Sequence, residues 1–174
     1  MTITAQLTLG DGERSMNLSL CSIALAKLAE TLIDHEDTAE AFDWLSRHGD
    51  SSVRKAIARK KFLPATAVRC LVADPAVEVA LELLRSDEAC RVLTNDEVLS
   101  LCKRDPSLAE SIAGSYECFA LDDDTLAVSL ECYADARVRL ALAGNPFVPK
   151  PVMRRLAQND LDQRVRNIAR QMLE

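Results

Sequence analysis

The side chains best equipped for chemistry in this 174-residue chain are few: two histidines, His35 and His48, and six cysteines at positions 21, 70, 90, 102, 118 and 132. Nucleophilic catalysis needs a base held against a Ser, Cys or Lys in fixed geometry. Both histidines fall in one acidic N-terminal stretch, and no spacing around them sets up such a pair. Metal chemistry needs clustered ligands, yet there is no C-x-x-C, C-x-x-H or H-E-x-x-H, and no glycine-rich phosphate loop. Cys102 and Cys132 each stand three residues before an aspartate, where Leu71 stands before Asp74. That placement reads them as small core residues, and unpaired thiols suit a reducing, cytoplasmic location. The run Asp122-Asp123-Asp124 could form a metal cup, but it fits better as the acidic start of a helix from Thr125. The expectation is a chain with no catalytic residue, no cofactor and no metal.

The elements that position everything else are repeats. Residues 50–73 (DSSVRKAIARKKFLPATAVRCLVA) align without a gap on residues 135–158 (DARVRLALAGNPFVPKPVMRRLAQ), with nine identical pairs out of 24. A worn form of the same phrase, Asp-x-x-aliphatic, recurs at Asp50–Val53, Asp74–Val77, Asp105–Leu108, Asp135–Val138 and Asp162–Val165, at spacings of 24, 31, 30 and 27 residues. Further apolar pairs follow each one, as at Ile57 and Ala58, Ala80 and Leu81, or Leu142 and Ala143. This spacing predicts one buried face of a short helix, with the Asp as its N-cap. A second helix precedes each Asp, with apolar faces such as Ala41, Trp44 and Leu45, or Val152, Met153 and Leu156. Pro64 and Pro149 fall near the start of that helix, where a missing N–H costs nothing. Helices this short bury their stripes only against neighbouring units.

The segment VRLALAGNPFVPKPVMRRLAQNDLDQRVRNIARQ resembles the leucine-rich repeat variant family, whose units read roughly V-R-x-x-L-A-x-N-P-x-x-P-x-x-x-L-x-x-L-A. It is similar, more loosely, to HEAT and armadillo repeats. The match is specific over 135–169, good over 50–77 and weak over 78–134, where the Asn-Pro and second Pro are absent. The resemblance implies an α-solenoid used as a binding or scaffolding surface, and it implies no single activity. HEAT-like repeats also carry Asp–Arg ladders. Arg54, Arg139 and Arg166 stand four residues after Asp50, Asp135 and Asp162, so the expectation is a structural ladder of these i,i+4 pairs.

Charge is laid out in blocks. The net charge is −6, yet residues 50–85 carry 7 basic and 4 acidic side chains and residues 135–174 carry 8 and 4. The stretches 1–49 and 86–134 are acidic, with 3 basic against 8 acidic and 3 against 11. In the alignment Arg59-Lys60-Lys61 replaces the turn Gly144-Asn145-Pro146. That exchange nominates Arg59, Lys60 and Lys61, with Arg154 and Arg155, as the surface that meets an acidic partner.

The resulting expectation is an all-α chain: a right-handed solenoid of about five short helical pairs, a single domain overall. Residues 1–18 form a flexible arm or short strand before a Gly10-Asp11-Gly12 turn. Residues 19–49 form N-terminal capping helices (20–34 and 38–47), and 50–174 the repeats. No run of eighteen apolar residues spans a membrane and no secretory signal opens the chain. The expected function is a cytoplasmic adaptor that binds another protein without turnover. One alternative is a HEAT-like nucleic-acid binder using basic repeats 50–73 and 135–170, disfavoured by a pI near 5.0 and few aromatics. The other is an enzyme on a solenoid scaffold.

Overall fold

In the computed structural model, which describes residues 6–10, 15–119 and 124–174, a hairpin of β1 (Gln6–Gly10) and antiparallel β2 (Ser15–Ser19) precedes the helices. The short-strand alternative for the N-terminal arm is the one adopted, while Asp11 and Gly12 of the expected turn lie outside the described residues. Twelve α-helices follow among the described residues. They are α1 (Ser22–Thr31), α2 (Ala39–Leu45), α3 (Ser51–Ala58), α4 (Ala65–Val72), α5 (Val77–Leu83), α6 (Asp87–Arg91), α7 (Asn95–Arg104), α8 (Pro106–Gly114), α9 (Thr125–Glu131), α10 (Ala136–Ala143), α11 (Lys150–Asn159) and α12 (Gln163–Gln171). The fold is helical apart from the hairpin.

The chain divides into two compact units, Met1–Ser86 and Asp87–Glu174. In the first unit α3 packs between α1 and α5, and α2 packs on α4. In the second, α10 packs between α8 and α12, and α9 between α7 and α11. Helices that follow an aspartate thus stack on each other, and so do those that precede one. The expected capping helices α1 and α2 join these two stacks as ordinary members. Fully buried aliphatics fill the layer between the stacks: Ile57, Leu71 and Leu83 in the first unit, Ile112, Leu130, Leu142 and Leu156 in the second. Each such side chain removed from water contributes about 1.5–3 kcal/mol, which is what these seven- to ten-residue helices lack on their own.

Two expected faces are corrected. Helix α2 buries Phe42, not Trp44, which is 57% exposed. Val77 is only half-buried, and Val79 is the core residue of α5. Asp74 stands two residues before the N-cap Ala76, as Asp160 stands two before the N-cap Asp162, so the helix starts at Val77 and the motif there sits two residues early. With Val79 in place of Val77 the buried positions fall at 53, 79, 108, 138 and 165, a more even period.

The other four aspartates cap as expected. Asp50, Asp105, Asp135 and Asp162 each accept the backbone N–H two residues on. Asp124, the described member of the acidic run, occupies the N-cap position of α9 without a side-chain bond; Asp122 and Asp123 lie outside the described residues. In all four capping residues, hydrogen bonds from the side chain and then the backbone of the residue two on hold the carboxyl below its usual value, to about 2 for Asp162. A carboxyl whose pKa is lowered by folding stabilises fully above its unfolded value of about 3.9, and that contribution disappears as pH falls through the folded value. Melting temperature is therefore expected to fall between about pH 4 and pH 2. Asp162→Asn should flatten the lower part of that slope; an unchanged profile in this variant would remove the cap at Asp162 from the account.

Candidate functional site

The arginine four residues into α3 does not pair with its own cap. Arg54 reaches forward to Asp74: its Nη2 donates to Oδ1 at 2.9 Å and its Nε to Oδ2. Its Nη1 donates to the carbonyls of His48 and Gly49 at 2.7 and 3.0 Å. Arg139 repeats every contact in the second unit. Its Nε and Nη2 meet Asp160 at 2.8 and 3.2 Å, and its Nη1 donates to the carbonyls of Tyr133 and Ala134. The expected Asp50–Arg54 and Asp135–Arg139 pairs are therefore corrected. An Asp cap and an Arg one turn later diverge, because the carboxylate is turned toward the free N–H groups ahead of the helix. The ladder is real but runs between units of the repeat, from Arg54 to Asp74 and from Arg139 to Asp160. Asp74 and Asp160 serve twice, each also accepting the N–H two residues on. Both carboxylates are 2% exposed, so the full set of donors is what makes their burial tolerable. Asp162, the third expected acid, pairs with Arg164 at 2.7 Å rather than with Arg166.

The turn that carries the nominated cations is equally occupied. Lys60 is buried, its Nζ donating to the carbonyls of Glu30 at 3.0 Å and Leu32 at 2.7 Å, at the C-terminal end of α1. Asn145 stands at the same place in the other copy. Its Nδ2 donates to the Gly114 carbonyl at the end of α8, and its Oδ1 accepts the N–H of Phe147. Lysine has no acceptor to offer, and Asp34 supplies one, taking the N–H groups of Lys61 and Phe62. The three-cation turn is thus a rewired Asn turn. Lys60 is corrected from a partner-binding residue to a structural one.

The remaining nominated residues divide. Arg59 pairs with Glu82 at 3.1 Å, a buried carboxylate that also meets Arg85 and Lys55. Burial pushes the Glu82 carboxyl up, and Arg59 with its neighbours outweighs this and holds it below the usual range. Arg155 pairs with Glu131 at 2.7 Å, tying α11 to α9. Lys61 and Arg154 are exposed. Arg59, Lys60 and Lys61 belong to the first unit and Arg154 and Arg155 to the second.

Sequence reasoning missed Asp34, Asp74, Asp160 and Asn145. The available signal was distance: Asp74 and Asp160 lie 20 and 21 residues after Arg54 and Arg139. It also missed the exposed apolar edge. Phe62 and Phe147 occupy the same aligned position and are 46% and 64% exposed, and Ile33 on the preceding turn of the first unit is exposed as well. The ring of His35 lies 6.3 Å from that of Phe62.

Other polar features are closed. A groove of about 320 Å³ in the second unit is lined by Cys132, Tyr133, Asn159 and Leu161 over the already satisfied Arg139–Asp160 pair. All six cysteines are thiols outside any disulfide. Burial pushes the thiols of Cys90 and Cys102 up to about 12, so neither is a thiolate at neutral pH. Cys102 is a core residue as expected; Cys132 is exposed, which corrects its placement. Among the described residues no three His, Cys, Asp or Glu side chains gather as a metal site, and no helix is long and apolar enough to cross a membrane. Comparison of the chain with protein families, curated proteins and solved structures finds no match.

Proposed function

We propose that the chain is built of right-handed α-solenoid repeats of the leucine-rich repeat variant kind, about five helical pairs, and acts as an adaptor that binds another protein without turnover. Like-on-like stacking within each unit supports the architecture. The observation that carries the function is the recurrence of an exposed phenylalanine, Phe62 and Phe147, at one position of the repeat. The polar groups around it are spent on structure. Exposed aromatics are the anchors of protein interfaces, where one buried ring contributes far more than a rim charge. The nucleic-acid reading is weakened by the fate of the cations: Arg54, Arg59, Arg139 and Arg155 hold carboxylates and Lys60 holds carbonyls. Phosphate binding needs such groups free.

The test is affinity purification from the native cell with the wild-type chain beside Phe62→Ser and Phe147→Ser. A protein retained by the wild type and lost from at least one variant is expected. Both variants should melt like the wild type, since surface substitutions usually cost within about 0.5 kcal/mol. Recovery of nuclease-sensitive nucleic acid, with binding that falls steeply as salt rises, would replace the adaptor reading with the runner-up.

A further inference from the structure

One carboxylate in the first unit serves three cations. Glu82, buried on α5, meets Nη1 of Arg85 at 3.0 Å and Nε of Arg59 at 3.1 Å, with Nζ of Lys55 further off at 3.8 Å. Arg59 also approaches Glu30 on α1 at 3.7 Å, and Glu30 meets Lys27 at 3.5 Å. Four cations thus surround two carboxylates, a surplus of two positive charges. Glu78, one turn before Glu82, is exposed and takes none of them. Arg59 gives its Nε and Nη2 to Glu82. Arg85 gives Nη1 alone, to both oxygens at 3.0 and 3.1 Å. Among the described residues its Nε and Nη2 make no other bond, and the guanidinium is exposed.

The repeat does not require this cluster. Where the first copy has Lys55 and Arg59, the aligned second copy has Leu140 and Gly144. With Asp74 set on Asp160, Glu82 and Arg85 fall on Ile168 and Gln171. All four counterparts are neutral, and α10 stacks on α12 without them as α3 stacks on α5. The positive field is therefore an addition of the first unit. It adjoins the exposed apolar edge. Arg59 leads into the turn that Lys60 and Asp34 tie to the end of α1, where Phe62 and Ile33 are exposed.

We propose that Arg85 and Lys55, gathered on Glu82 beside Arg59, are the receptor for the phosphate of a phosphorylated serine or threonine in a partner protein. Such a phosphate carries about −1.5 to −2 charges at neutral pH and matches the surplus of two, where a single carboxylate leaves half of it unanswered. The Nε and Nη2 edge of Arg85 meets two phosphate oxygens by parallel N–H···O bonds, and the Lys55 ammonium takes the third as a point charge. Glu82 stays with Arg59 and holds the cations together. Phe62 and Ile33 alongside offer a place for an apolar side chain of the same segment, which free phosphate lacks. This rests on the reading of the chain as a protein-binding module and names the chemistry of its partner.

The experiment passes a degenerate pool of short peptides with a central phosphoserine or phosphothreonine over the immobilised full chain. Matching pools with Ser or Thr, and with Glu, at that position are the controls. Retention of the phosphorylated pool is expected to exceed that of either control about tenfold, and to fall to the Ser and Thr level in Arg85→Gln and Lys55→Gln. Arg85→Lys, which keeps the charge but lacks the two-donor edge, should lose most of it. Arg85 is exposed and Glu82 keeps Arg59, so the Arg85 variants should melt like wild type. Circular dichroism identifies any variant that loses helix, and the others then carry the test. Equal retention of the phosphorylated and unphosphorylated pools, or equal retention by wild type and variants, overturns the proposal. A glutamate pool held as well as the phosphorylated one overturns it in favour of a carboxylate. Binding to phosphatidylcholine vesicles that contain a phosphatidylinositol phosphate, without enrichment of phosphorylated peptides, overturns it in favour of a lipid headgroup. If the phosphorylated pool is retained as expected while the cell yields no protein to the wild-type chain, the adaptor reading fails and the phosphate site stands. If a cellular partner is lost on Phe62→Ser but survives both phosphatase treatment and Arg85→Gln, the phosphate site fails alone.

Discussion

Asp160→Ala is expected to destabilise the second unit by about 3–5 kcal/mol, because it strands a buried guanidinium. Arg139→Ala should cost a similar amount by stranding the carboxylate. The double variant should cost far less than the two together, since it leaves neither charge behind. The same pattern is expected for Asp74 and Arg54 in the first unit, where the guanidinium is 12% exposed and its carboxylate partner 2%. Urea unfolding of the four members of each cycle measures the coupling. The informative contrast is a second cycle between Asp135 and Arg139, which should be nearly additive: Asp135 spends its carboxylate on the N–H and guanidinium of Arg137. Coupling at Asp135 with additivity at Asp160 would restore the within-helix ladder and discard the one between repeat units.

What was legible in the chain followed local rules. A carboxylate before a helix and apolar residues at i, i+3 and i+4 are properties of a few adjacent residues, and they located α3, α8, α10 and α12 well. The failures came where two elements had to be known together. Asp74 looks like the other caps, yet its place in the fold is that of Asp160: it takes a guanidinium from the preceding repeat and the N–H two residues on, and the N-cap position falls to Ala76 as it falls to Asp162. Trp44 and Phe42 are both plausible core residues of a seven-residue helix, and only the presence of α4 and the Lys60 ammonium, 5.9 Å from the Phe42 ring, decides between them. The ladder partners were hidden for a related reason. An i,i+4 pair is visible within one helix, whereas Arg139 and Asp160 meet only after α10 and α12 stack. The candidate site suffered most, because a cation written in a turn gives no sign of whether it faces water or a helix end.

Lys60 is the sharpest case of that ambiguity, and Lys60→Met separates its two possible roles. Methionine keeps the length and apolar stem that lie against Phe42 but removes the ammonium, leaving the Glu30 and Leu32 carbonyls at the end of α1 without their donor. A buried acceptor left unsatisfied costs about 1–3 kcal/mol; these two carbonyls are part-buried, so a loss of roughly 1–3 kcal/mol in all is expected by urea unfolding. Lys61→Met, one residue along and exposed, should change stability within about 0.5 kcal/mol. Asp34→Ala should behave like Lys60→Met, since it removes the acceptor for two turn N–H groups that Asn145 helps to satisfy in the other copy. The comparison also bears on how binding is tested. Reversing charge at Arg59, Lys60 and Lys61 together would break the closure of α1 and the Glu82 pair at once, and any partner lost would be lost to unfolding. A Lys60→Met chain that melts like wild type would return this turn to the surface and reopen it as a place where an acidic partner binds.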